Sequence, residues 1–98
     1  VAVGGSRFYS FTVTQNGTVN ISLTAVAGDF VPPTVTLGLG IGQPSATDCT
    51  TTTTVNVTAQ TAQPQLTNTY APAVYCAKVT DVGNLFAPAA FTVVIAHP

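Results

Sequence analysis

Nearly every run of this chain long enough to form an element alternates apolar and polar residues with a period of two. Thr18–Thr24 is the cleanest case: Val19, Ile21 and Leu23 fall on one side, and Thr18, Asn20, Ser22 and Thr24 on the other. Successive side chains of a strand point to opposite faces, whereas a helix needs apolar residues three and four apart. Residue choice agrees. The chain has 18 Thr and 14 Val among 98 residues, and both are β-branched types that favour strands. Glu and Met are absent, and Lys and Arg together number two, so strong helix formers are scarce. The length holds one domain. The expected fold is all-β: a single small antiparallel β-sandwich or jelly-roll-like domain of about 7–8 strands divided by turn signals.

The pattern places the elements. Arg7–Thr14 is a strand with Tyr9, Phe11 and Val13 inward, and Asn16-Gly17 turns it into Thr18–Thr24 as a hairpin. Thr34–Ile41 has Val35, Leu37, Leu39 and Ile41 inward, with Thr34, Thr36, Gly38 and Gly40 outward. Glycine on the outer face admits close approach of another group or marks a bulge. Gly42–Cys49 reads as a loop, and Thr50–Thr58 as a strand with Val55 and Val57 inward. Ala59–Thr69 contains Pro64 and is a poor or edge strand. In Ala73–Thr80, Tyr75, Ala77 and Val79 share the core face, and Val74, Cys76 and Lys78 the other. Phe91–His97 closes the domain. It is apolar on both sides through Val94 and Ala96, so it is expected to be covered on both faces. Residues 1–6 (Val-Ala-Val-Gly-Gly-Ser) form a flexible segment ahead of the sandwich of residues 7–98.

Only 5% of the residues are charged and the net charge is −1, against roughly 25% charged in an ordinary soluble domain. The apolar content excludes disorder. The lack of a basic patch argues against nucleic acid as a partner. Thr, Asn, Gly and Pro interrupt every apolar run, so no segment reads as transmembrane. Charge is the usual guard against edge-to-edge association. A surface this poor in it must be solvated by something else, such as glycans, or covered by copies of the same chain. The chain begins with Val rather than Met, as a secreted precursor without its leader would, though a trimmed chain would look the same.

Cys49 and Cys76 are an even pair with no His/Cys cluster nearby. They read as a disulfide, the other reading being two buried thiols. The bridge would close a loop of about 28 residues and contribute about 3–4 kcal/mol. Three Asn-x-Ser/Thr sequons, at Asn16, Asn20 and Asn56, fall on a turn and on outward strand positions, and are candidate glycosylation sites.

The catalytic inventory is thin. Ser6, His97 and an Asp could form a triad on paper, but no Gly-x-Ser-x-Gly elbow supports it. Asp29, Asp48 and Asp81 sit in three separate loops and read as turn residues bonding their own backbone. A single calcium at Asp29 or Asp81 is the weaker alternative, and zinc lacks ligands. No catalytic residue, metal or cofactor is expected.

From Phe8 to Ile95 the order of segments resembles the bacterial pre-peptidase C-terminal domain. The likeness rests on Phe8-Tyr9-Ser10-Phe11-Thr12-Val13, on Gly17 followed by Thr18–Leu23, on the Thr34–Leu39 strand, on Ala71–Val79, and on the closing Phe91–Ile95. Pro72-Ala73 stands where that family has a Gly before its Tyr strand, and the acidic residues some relatives use near calcium are mostly missing. The resemblance implies a non-catalytic, extracytoplasmic β-sandwich used as an accessory, adhesive or assembly unit.

Two functions compete. One is a structural subunit of an extracellular, glycosylated fibre that binds copies of itself head to tail. Val1-Ala2-Val3 would be its donor segment, laid along a neighbour's edge beside Phe91–His97. The other is an accessory binding module of a larger secreted protein. That module would show exposed aromatics, for which Phe8, Phe30, Tyr70 and Phe86 are free.

Overall fold

A computed structural model describes all 98 residues. The chain is all-β, with seven strands: β1 (Ser6–Val13), β2 (Gly17–Ala27), β3 (Leu37–Ser45), β4 (Asp48–Val57), β5 (Leu66–Tyr70), β6 (Ala73–Thr80) and β7 (Ala90–Ala96). They form two antiparallel sheets, ordered β1-β6-β3-β4 and β5-β2-β7. The inner faces meet in a core built around Ile21, Leu23, Leu37, Leu39 and Ile41, each at most 1% exposed. Burying a side chain of this size stabilises by about 1.5–3 kcal/mol, so the central strands β2 and β3 hold the sheets together. Tyr75 reaches the core from β6, and its hydroxyl donates to the Ala71 carbonyl at 2.7 Å, so the polar end is not left unpaired.

Several expectations need correction. β1 and β2 are consecutive but not a hairpin: β1 pairs with β6, and β2 lies in the opposite sheet between β5 and β7. The Asn16 turn carries the chain from one sheet to the other. The stretch 42–49 is not a loop. β3 runs on to Ser45 and returns through a tight turn into β4 at Asp48, with Ala46 at φ 53°. The strand expected from Thr34 begins only at Leu37, although Val35 is buried. β7 is covered on one face only: Phe91, Val93 and Ile95 pack against the core, while Val94 is 50% exposed. The apolar outer side of β7 therefore lies open to water.

Irregularities re-aim side chains. A bulge between Leu23 and Ala25 shifts the alternation in β2, so that Val26 faces inward after Leu23. Beyond the end of β5, the Gln65 side-chain amide takes over the pairing. It accepts from the Leu23 N–H at 3.0 Å and donates to the Leu23 carbonyl at 2.8 Å.

The segment read as a flexible joint is drawn into a turn. The Gly5 N–H donates to the Ala2 carbonyl at 2.9 Å, with Gly4 at φ 69°, a conformation that glycine adopts without steric cost. The Ala89 N–H donates to the Val1 carbonyl at 2.9 Å, and Val1 packs against the core while Val3 is 52% exposed.

Candidate functional site

Three features could carry function: the open side of the sandwich, a trough on one outer face, and an aspartate that fastens the N-terminal turn.

β1 and β7 are edge strands of opposite sheets on the same side of the sandwich. Tyr9 of β1 meets Phe91 of β7 edge to face, with ring centroids 6.1 Å apart. Between the two strands lies a furrow of about 260 Å³ lined by Tyr9, Phe91, Thr92, Val93 and Ile95. Tyr9 is 48% exposed rather than inward as its alternation predicts, because no strand beyond β1 covers it. The unguarded edges are general: β5 and β7 carry no charged residue, β1 only Arg7 and β4 only Asp48.

The trough lies over β3 on the outer face of its sheet. Its floor is Gly38 and Gly40. Thr51, Thr54 and Asn56 of β4 wall one side, Lys78 and Thr80 of β6 the other, and Val82 closes one end. Its volume is about 200 Å³. Further along β3, Gly42 pairs with Cys76 of β6, and the next residues of β4 fold over it. Cys49 there closes a disulfide with Cys76 across the central strand, with Cα atoms 6.0 Å apart. The outward glycines Gly38 and Gly40 admit the close approach of other groups. A Cβ at Gly38 would meet Val82 Cγ1 at 3.2 Å, and one at Gly40 would meet the Thr51 and Thr54 methyls at 2.9 and 3.0 Å, while the bulge falls further on, between Ile41 and Gly42. Lys78 also donates to Asp48 Oδ1 at 3.1 Å. The Cys49 N–H, first, and Lys78 hold the Asp48 carboxyl below the usual carboxylate range.

Asp81 is 9% exposed. Its Oδ2 accepts from the Gly4 N–H at 2.7 Å. Its Oδ1 accepts from the N–H groups of Gly83, Asn84 and Leu85 at 2.9, 3.0 and 3.2 Å. The Gly4 bond, foremost, holds its carboxyl below the ordinary range, with Gly83, Leu85 and Asn84 adding to it against the opposing effect of burial. Reading Asp81 as a turn residue anticipates the bonds to Gly83–Leu85. The bond to Gly4 joins residues 77 apart in sequence and has no local signal.

The sequons occupy three different settings. Asn16 is exposed in the turn before β2. Asn20 is half-buried on the central strand β2 and accepts from the Thr67 hydroxyl. Asn56 is exposed on the edge strand β4, and Thr58 of its sequon is exposed too. Ser6 and His97 are not brought together: His97 stacks on Phe11 at 5.1 Å, about 16 Å along β1 from Ser6. Asp29, Asp48 and Asp81 share no cluster with His or Cys that could hold a metal ion. Of the four free aromatics, Phe30 and Phe86 are 91% and 92% exposed, while Tyr70 packs on Tyr75 at 5.0 Å and Phe8 is half-buried.

No known protein family, curated protein or solved structure matches this chain.

Proposed function

We propose that this chain is a non-catalytic structural subunit that self-assembles into an extracellular, glycosylated fibre through head-to-tail contacts of its N-terminal segment. The observation that carries the reading is the furrow between β1 and β7, an apolar channel flanked by two unpaired strand edges. An extended segment laid there gains backbone hydrogen bonds from an edge and buries alternate side chains on Phe91, Val93 and Ile95. Residues 1–6 of a neighbouring copy suit it. They carry no charged side chain and are apolar at the tip, and they span about 20 Å when extended. Within its own domain the segment is held by the Val1–Ala89 pair, by Asp81 through Gly4 and Gly5, and by Val1 packing on the core, and a neighbour's furrow must replace these contacts on exchange. Segment and furrow are different surfaces of one molecule, and a contact of that kind gives a filament wherever its rotation does not close into a ring. Sugars on Asn16, Asn20 and Asn56 would supply the hydration that charge does not. The disulfide fits an oxidising compartment outside the cytoplasm.

The test is size-exclusion chromatography and negative-stain imaging of the full chain beside a variant lacking residues 1–6. Filaments from the first and monomers from the second support the reading. A dispersed 9.9 kDa monomer in both overturns it.

The second reading, an accessory binding module of a larger secreted bacterial protein, is favoured by one observation. Phe30 displays an almost fully exposed ring from a backbone at φ 60°, a strained conformation for a bulky residue of the sort that collects at functional sites. On that reading the chain stays monomeric, and Phe30→Ala weakens binding to a polysaccharide or protein.

A further inference from the structure

The geometry points to Asn56 as a principal N-glycosylation site, with its first sugar ring seated in the glycine-floored trough over β3. This rests on the glycosylated part of the proposed function, and not on fibre assembly.

Asn56 differs from the other sequons in what surrounds it. Asn56 is exposed on the edge strand β4, and Thr58, just past the end of that strand at Val57, is exposed too, so the acceptor amide and its partner hydroxyl are both reachable. Asn20 instead sits on a strand paired on both sides, with its amide oxygen already engaged by Thr67. Asn56 makes no side-chain hydrogen bond within the chain, and it forms part of the trough wall opposite Thr80. Across the sheet Asn56 pairs with Gly38, and Gly38 in turn with Thr80, and the Val82 side chain comes within 3.2 Å of where a Gly38 Cβ would lie.

The size and chemistry of the trough select its occupant. Its volume of about 200 Å³ is below the roughly 300 Å³ at which pockets for larger ligands begin, which leaves room for one ring. Thr51, Thr54, Thr80 and Lys78 line it, with threonine methyls over Gly40 and the Lys78 ammonium shared with Asp48, a mixed apolar and hydrogen-bonding lining of the kind a sugar ring and its hydroxyls can use.

The modification is a group transfer from a lipid-diphosphate-linked oligosaccharide, catalysed by the secreting cell's transferase. The Asn56 amide nitrogen forms the bond to the anomeric carbon, the bond from that carbon to the diphosphate breaks, and the lipid diphosphate leaves. The proton lost from the amide goes to a base of the transferase.

The experiment secretes the full chain from a eukaryotic host with N-glycosylation. Occupancy is mapped by mass spectrometry of proteolytic peptides, with Asn56→Gln confirming the assignment. Peptide-N-glycosidase then removes sugar from the folded and the denatured protein. The expected result is an occupied Asn56 whose sugar leaves the folded protein about tenfold more slowly than that of Asn16, with equal rates after denaturation. Thr80→Tyr, which fills the trough, should leave Asn56 occupied and remove the protection. If Thr80→Tyr fails to fold, the wild-type ratio of rates decides alone. An unmodified Asn56 beside a modified Asn16 overturns the site. An Asn56 sugar released as fast from folded as from denatured protein overturns its seating. Both readouts are taken on the individual chain, so they stand or fall apart from any filament.

Discussion

The Thr50 carbonyl occupies the space that a Cβ on Gly42 would fill. β4 crosses so close above β3 at this point that Cys49 reaches Cys76 on the far side of the central strand. Gly42→Ala therefore forces backbone apart and is expected to cost about 2–4 kcal/mol. Gly83 is a useful contrast. It has φ 103°, but a Cβ added there would meet nothing within 4 Å, so Gly83→Ala carries only backbone strain of about 1–2 kcal/mol. Denaturant unfolding of the two variants should rank them in that order, and the reverse ranking would contradict the crossing.

Loss of the disulfide should lower stability by about 3–4 kcal/mol, as expected for a loop of this length. Both cysteines are buried, at 2% and 0% exposed, so reductant should act on the unfolded chain rather than on the native one. Reduction followed by thiol labelling should therefore track the unfolding rate. Rapid reduction at a rate independent of denaturant would argue against this burial.

Acid should destabilise the domain through Asp81 more than through Asp48. Both carboxyls are held below their ordinary range in the folded state. Each then contributes stability that is present above the unfolded value, about 3.9, and is lost as pH falls through the lower folded value. Asp81 accepts four backbone N–H bonds, whereas Asp48 accepts one and pairs with Lys78 in water, where such a pair contributes little. Unfolding free energies measured between pH 5 and 2 should lose most of their slope in Asp81→Asn and little in Asp48→Asn.

On the proposed fibre reading, a charge in the β1–β7 furrow should block assembly without unfolding the subunit. Tyr9 is half-exposed, so Tyr9→Lys should change stability by less than about 1 kcal/mol. It places an ammonium group in the path of an incoming strand. Light scattering at concentrations where the parent forms filaments should show only monomer. Filaments of unchanged length from Tyr9→Lys would place the contact elsewhere.

The core of this fold was legible because alternation is a local property. Val19, Ile21 and Leu23, then Leu37, Leu39 and Ile41, then Tyr75, Ala77 and Val79 each declare their face within one strand. An even count and the lack of a His/Cys cluster favoured a bridge over two buried thiols, and Cys49 and Cys76 are bridged. What could not be read was which strand lies beside which. Asn16-Gly17 announces a reversal, but an identical signal serves a hairpin and a crossing between sheets. The pattern of β7 shows apolar residues on both sides but not whether anything covers Val94. Tyr9 keeps the inward spacing of Phe11 and Val13 yet lies beyond the last neighbour. The same limit applies to the sites: the furrow exists only because β1 and β7 end opposite sheets on one side. The outward glycines, by contrast, could be seen in the sequence, and only their neighbours had to come from the structure.

The two oxygens of Asp81 have separate tasks. One holds the N-terminal turn through Gly4, and the other alone organises Gly83, Asn84 and Leu85. Should the leading residues detach and pass to an adjoining molecule, the first oxygen loses Gly4 and the Asp81 N–H loses the Gly5 carbonyl, but the second oxygen keeps its three partners. On the proposed fibre, the turn at Gly83–Leu85 would thus stay closed in a subunit that hands its leading residues along a growing polymer.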